Sequence, residues 1–121
     1  MKKLLIIEDD STLLKAYEEM FAHEEIEIVN AKTGQEGLNL AESEKPNLII
    51  LDIMLPEGMN GFDVLERLKA KSSTKNIPVV IITNLDTEEK GAKMIGAKDY
   101  LIKSNTTKDE VVKVVNNLLS L

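Results

Sequence analysis

With 121 residues and no cysteine, this chain is sized for one compact domain spanning 1–121, and disulfide or thiolate chemistry is excluded. Its net charge of −6 argues against the basic surface that direct nucleic-acid binding needs, and no apolar run approaches the roughly 20 residues of a membrane helix, so a cytoplasmic protein is expected. Aromatics are only 3%, which leaves Leu, Ile, Val and Ala to build the core, and the lone His23 cannot form a multi-histidine metal site.

The N-terminal MKKLLIIEDD starts like a signal peptide, but its apolar run ends at Ile7 and meets three carboxylates. Leu4 to Ile7 therefore reads as a buried strand. Ser11 to Ala22 reads as a helix with Leu14, Tyr17 and Phe21 as its apolar stripe. Glu27 to Ala31 is a weaker strand, and Thr33 can cap a helix from about Gln35 to Ser43. Leu48 to Leu51 is apolar at every position, as suits a central parallel strand covered on both faces. A loop holding Pro56, Gly58 and Gly61 leads to a helix with Phe62, Val64, Leu65 and Leu68 as its apolar positions. Val79 to Ile82 follows as a buried strand. The sequence then predicts a short helix near Thr87 to Met94, a brief strand from Tyr100 to Ile102, and a closing helix from Asp109 to Leu119.

Five strands alternating with five helices predict an α/β, doubly wound (βα)5 fold: a five-stranded parallel sheet with helices on both faces. The strand order 2-1-3-4-5 puts a switch point between the first and third strands, with sites at the C-terminal strand ends. Glu8, Asp9 and Asp10 follow the first strand, Asp52 the third, Thr83 the fourth and Lys103 the fifth. One cap, Asp10 or Ser11, satisfies the first helix. Two further carboxylates facing Asp52 repel one another unless a cation intervenes. Hard oxygen ligands without His or Cys point to magnesium or a similar ion.

These residues, in the segments LLIIEDD, PNLIILDIMLP with NGFDVL, IPVVIIT and GAKDYLIK, resemble the receiver domains of bacterial response regulators over the whole chain. The resemblance implies a flavodoxin-like topology. It also implies that Glu8 and Asp9 hold Mg2+ (with Mn2+ as a substitute), that Asp52 is both metal ligand and phosphoacceptor, and that the Met54 backbone carbonyl completes the protein ligands. By the same resemblance Thr83 is the switch hydroxyl, Lys103 pairs with the phosphoryl oxygens, and Tyr100 is the aromatic switch residue. Phosphoryl transfer asks mainly for positioning and charge neutralisation, which this set supplies. The implied donor is a sensor histidine kinase or a histidine phosphotransfer domain. The implied readout is the surface of the fourth helix, fifth strand and fifth helix, which meets a downstream protein or an output domain. Such a switch is no enzyme beyond its own phosphotransfer and autodephosphorylation. It is expected to be a monomer or a phosphorylation-dependent dimer, stand-alone or cut from a longer chain.

The sequence also departs from that pattern. Ser104 follows Lys103 where the family usually has a cis proline; a trans bond is expected here, with some displacement of Lys103 or its loop. Asn105 replaces an apolar anchor, and Asn84 is expected to narrow access to Asp52. Met54 and Leu85 cannot orient an attacking water, which predicts a slowly lost phosphoryl group. Three rival functions follow from the same residues. A flavin site is disfavoured because Glu8-Asp9-Asp10 repels phosphate. A dehalogenase-type phosphatase lacks its general acid, since Met54 stands at that position. A receiver-like interaction module that is never phosphorylated rests on Ser104 and Asn84.

Overall fold

The four apolar residues Leu48 to Leu51 form β3 (Leu48–Leu51), and all four are buried. A strand with apolar residues on both faces needs cover on both, which only a central position provides. In the computed structural model, which describes residues 1–22 and 24–120, β3 lies at the middle of a five-stranded sheet. His23, the subject of the metal-site expectation above, and Leu121 lie outside the described residues.

The other strands are β1 (Lys2–Ile7), β2 (Ile26–Ala31), β4 (Val79–Thr83) and β5 (Asp99–Ile102). All pairings are parallel, in the order β2-β1-β3-β4-β5, as the alternation predicts. The helices α1 (Ser11–Met20), α2 (Gly34–Glu44), α3 (Gly61–Ala70), α4 (Glu89–Ile95) and α5 (Lys108–Leu119) connect or follow them. Successive strand residues alternate between two cores. Leu5, Ile7, Ile49, Leu51 and Ile81 pack with Ala41 of α2, Val64, Leu65 and Leu68 of α3 and Ala92 of α4. Leu4, Ile6, Leu48, Ile50 and Ile82 pack with Leu14 and Tyr17 of α1, Phe21 just beyond it, and Val111 and Val115 of α5.

The helix starts that adjoin the site have side-chain caps. Asp10 accepts from the backbone N–H groups of Thr12 and Leu13 at 2.9 and 3.2 Å, so it is the acidic residue that serves α1. Asn60 with Asp63, and Thr107 with Glu110, form capping boxes at α3 and α5. α4 has no side-chain cap and begins two residues later than expected. β1 begins two residues earlier than its apolar run, because Lys2 and Lys3 pair with Ile26 and Glu27 at the sheet's N-terminal end.

Candidate functional site

The sheet register brings the chemistry together. Ile7 lies opposite Leu51, so the residues that follow, Glu8 and Asp52, leave adjacent strands at the same level. The ladder carries one step further: the Asp52 N–H donates to the Ile7 carbonyl at 3.2 Å, and the Glu8 N–H to that of Ala31 at 2.9 Å. Both carboxylates are buried, Glu8 to 3% exposure and Asp52 to 4%. On the far side, Thr83 lies opposite Ile102, which delivers Lys103 to the same edge.

Lys103 bridges the pair. Its Nζ donates to Glu8 Oε1 at 2.8 Å and to Asp52 Oδ2 at 2.5 Å. The two remaining oxygens also have donors: the Asp10 N–H meets Glu8 Oε2 at 3.1 Å, and the Met54 N–H meets Asp52 Oδ1 at 3.0 Å. Each of the four carboxylate oxygens thus has one partner, as buried charges require. Burial pushes the Glu8 carboxyl above its usual range, although the Lys103 ammonium and the Asp10 N–H pull the other way. Burial works against the Lys103 ammonium, but its bonds to Asp52 and Glu8 outweigh that and hold its pKa above the ordinary lysine value. The Tyr17 hydroxyl is also pushed well up, first by burial and then by the charges of Glu8 and Asp52.

Asp9, next to Glu8 in the chain, is exposed. Among the described residues no three His, Cys, Asp or Glu side chains converge into a cage. The donors at hand are hard oxygens, and the two buried carboxylates already share a cation, the Lys103 ammonium. The chemistry of these hard-oxygen donors suits a divalent cation.

Thr83 is fully buried, and the Leu85 N–H donates to its Oγ1 at 3.4 Å. Two residues beyond Ile81, it shares the sheet face covered by α3 and α4. Tyr100 projects from the same face, 6% exposed, and its hydroxyl donates to the Leu85 carbonyl. The ring implied above as the aromatic switch is thus buried in this structure. A groove of about 410 Å3 between α2 and α3, floored by Leu38 and Leu68, shares no residue with this cluster.

Two features were not foreseen. Gly61, the first residue of α3, passes so close to the third strand's exit that a Cβ there would stand 2.3 Å from the Asp52 carbonyl oxygen and 2.5 Å from the Ile53 Cα. The glycine was visible in the sequence, but its neighbour was not. The second feature concerns Lys103 and the Ser104 bond, which is trans as expected. No peptide bond among the described residues is cis, yet Lys103 reaches both carboxylates. The Ser104 N–H, which a proline would lack, donates to Asn84 Oδ1 at 3.0 Å and ties this turn to the end of β4.

The sequence profile of the response regulator receiver domain matches residues 4–116. Protein PilH of Pseudomonas aeruginosa is 33% identical over 122 residues, covering 99% of both chains. Further curated relatives match over 85% of this chain, which spans 45% and 46%, about half, of their own length. Among solved structures, the receiver domain of Francisella response regulator 1452 superposes with a TM-score of 0.89 at 28% identity, covering 99% of this chain and 98% of that one. The manganese-bound form of response regulator Rcp1 gives 0.82 at 28% identity, covering 100% and 94%. No helix of the described residues is long and apolar enough to cross a membrane.

Proposed function

This chain belongs to the response regulator receiver family of two-component systems, and from that premise we propose that it is a phosphorylation switch whose acceptor is Asp52. The observation that carries this reading is the Lys103 ammonium held between the buried carboxylates of Glu8 and Asp52. A carboxylate buried at the end of a central strand, with its charge balanced by a cation, is a nucleophile shielded from bulk water.

In the proposed reaction an Asp52 carboxylate oxygen attacks phosphorus in line. The bond to the donor's leaving group breaks as the acyl phosphate forms. The donor is a phosphohistidine of a sensor kinase or phosphotransfer domain, or a small acyl phosphate. Lys103 follows the charge from the carboxylate to the phosphoryl oxygens, and the Met54 N–H holds Asp52 in orientation. Asp9, Glu8, Asp52 and the Met54 carbonyl would hold the divalent cation, Mg2+ or Mn2+, whose contribution when bound is to neutralise oxygen charge. Thr83 then donates its hydroxyl to the phosphoryl group, and α4, β5 and α5 carry the change to a partner protein or output domain. Met54, 61% exposed, and Leu85 offer no polar group to an attacking water, so the phosphoryl group is expected to persist. The pairing of Asn84 with Ser104, while Lys103 stays on Asp52, supports the switch over a module that is never phosphorylated.

The test is intact-protein mass after incubation with Mg2+ and acetyl phosphate, followed over time beside Asp52→Ala. One phosphoryl adduct is expected that needs Mg2+, outlasts seconds and is absent from the variant. An adduct on Asp52→Ala would overturn the assignment of the acceptor.

A further inference from the structure

Lys103 must hold one place while its two carboxylate partners exchange for phosphoryl oxygens, so what fixes its backbone matters. Lys103 opens a single 3-10 turn, Lys103–Asn105, between β5 and α5. Such a turn is short and its internal bonds are poorly aligned. Inside the segment, the Thr106 hydroxyl donates to the Ile102 carbonyl at 2.7 Å. The bond that crosses to another segment joins Ser104 N–H to Asn84 Oδ1 at 3.0 Å, spanning twenty residues of sequence. Asn84 directly follows Thr83, the last residue of β4.

We infer that Asn84 is a positioning residue for Lys103: its carboxamide fastens the Lys103 turn to the end of β4, so that the Thr83 hydroxyl and the Lys103 ammonium close on the phosphoryl group as one unit. The inference rests on the phosphorylation reading above. Asn84 touches no reacting atom. Its side chain acts through the backbone N–H of the next residue after Lys103. Asparagine suits this place because its carbonyl oxygen accepts without adding a negative charge beside a site that must take an anion. Asn84 and Ser104 are both exposed, so cutting the bond leaves the cores untouched.

The experiment compares the full chain with Asn84→Ala, Lys103→Ala and the double variant. Adduct formation from acetyl phosphate and Mg2+ is timed by intact mass, and Ser104 amide exchange is read by NMR. Asn84→Ala is expected to form the adduct roughly three- to ten-fold more slowly, the size of one ordinary hydrogen bond. Its thermal midpoint stays unchanged and its Ser104 amide exchanges faster. In the Lys103→Ala background, where incubation is extended, removing Asn84 makes no further difference. The same slowing in both backgrounds would overturn the inference, because Asn84 would then act without Lys103. So would an unchanged rate in Asn84→Ala. If the wild-type chain forms no adduct with acetyl phosphate, the small acyl phosphate is removed as a donor. The fastening is then decided by the Ser104 amide and the Lys103 side-chain resonances, both of which must move in Asn84→Ala.

Discussion

Lys103 occupies the place where this protein's stability and its proposed chemistry meet. Two of the four oxygens of Glu8 and Asp52 depend on its ammonium, and the other two depend on backbone N–H groups that do not move with it. Lys103→Met would leave two adjacent carboxylates buried without a counter-charge. Removing one partner of a fully buried pair costs about 3–5 kcal/mol; with 20% of the Lys103 side chain exposed, a loss of about 2–3 kcal/mol is expected here. Thermal melts without metal should show a drop on the order of 10 °C. Millimolar Mg2+ should restore most of it, because a cation at the same carboxylates takes over the balancing charge. A variant that melts low and stays low with Mg2+ would remove Glu8 and Asp52 from the metal site. At this scale the sequence was informative about residue type and weak about partnership. Asp52, Thr83 and Lys103 were legible because each ends an apolar strand. The sharing of Lys103 with Glu8 was not, because it joins residues at opposite ends of the chain. The Asn84–Ser104 bond escaped because it joins the ends of two different strands, twenty residues apart in the sequence.

The approach of α3 to the end of β3 sets the geometry of the Asp52 loop. The Gly61 N–H donates to the Ile53 carbonyl at 2.7 Å, and a Cβ on Gly61 would strike the backbone of Asp52 and Ile53. Backbone atoms cannot yield by changing rotamer, so Gly61→Ala must push α3 away or distort the loop. A loss of about 1–3 kcal/mol in urea unfolding is expected, together with slower adduct formation even where the variant is folded. A variant with wild-type stability and rate would show that the helix start relaxes freely. The elements themselves were well marked where their cause is local. Leu48–Leu51 and Val79–Ile82 announce themselves as apolar runs, and Thr33 as a cap. The start of α4 was misplaced because no side chain caps it. The first two residues of β1 were missed because Lys2 and Lys3 are held by pairing with β2 rather than by burial.

The order β2-β1-β3-β4-β5 gives the molecule two cores and one reactive edge, and the proposed switch runs across the face covered by α3 and α4. Thr83 and Tyr100 stand on that face, and both reach Leu85: Thr83 Oγ1 accepts from its N–H, and the Tyr100 hydroxyl donates to its carbonyl. Movement of Thr83 toward a phosphoryl group on Asp52 therefore pulls on the residue that anchors the Tyr100 ring. Inverting an equilibrium from 1:99 to 99:1 takes about 5.5 kcal/mol, and one hydrogen bond to a charged group contributes about 1.5–3 kcal/mol. Thr83 cannot supply the whole shift, but with Lys103 it approaches it, so removing Thr83 should leave the population divided rather than switched. Thr83→Ala is expected to accept the phosphoryl group on Asp52 while the amide resonances of α4, β5 and α5 move only part of the way to their phosphorylated positions. If those resonances in Thr83→Ala reach the wild-type phosphorylated positions in full, the hydroxyl is not the link between Asp52 and the Tyr100 face. The signal must then travel through Lys103 and the turn that follows it.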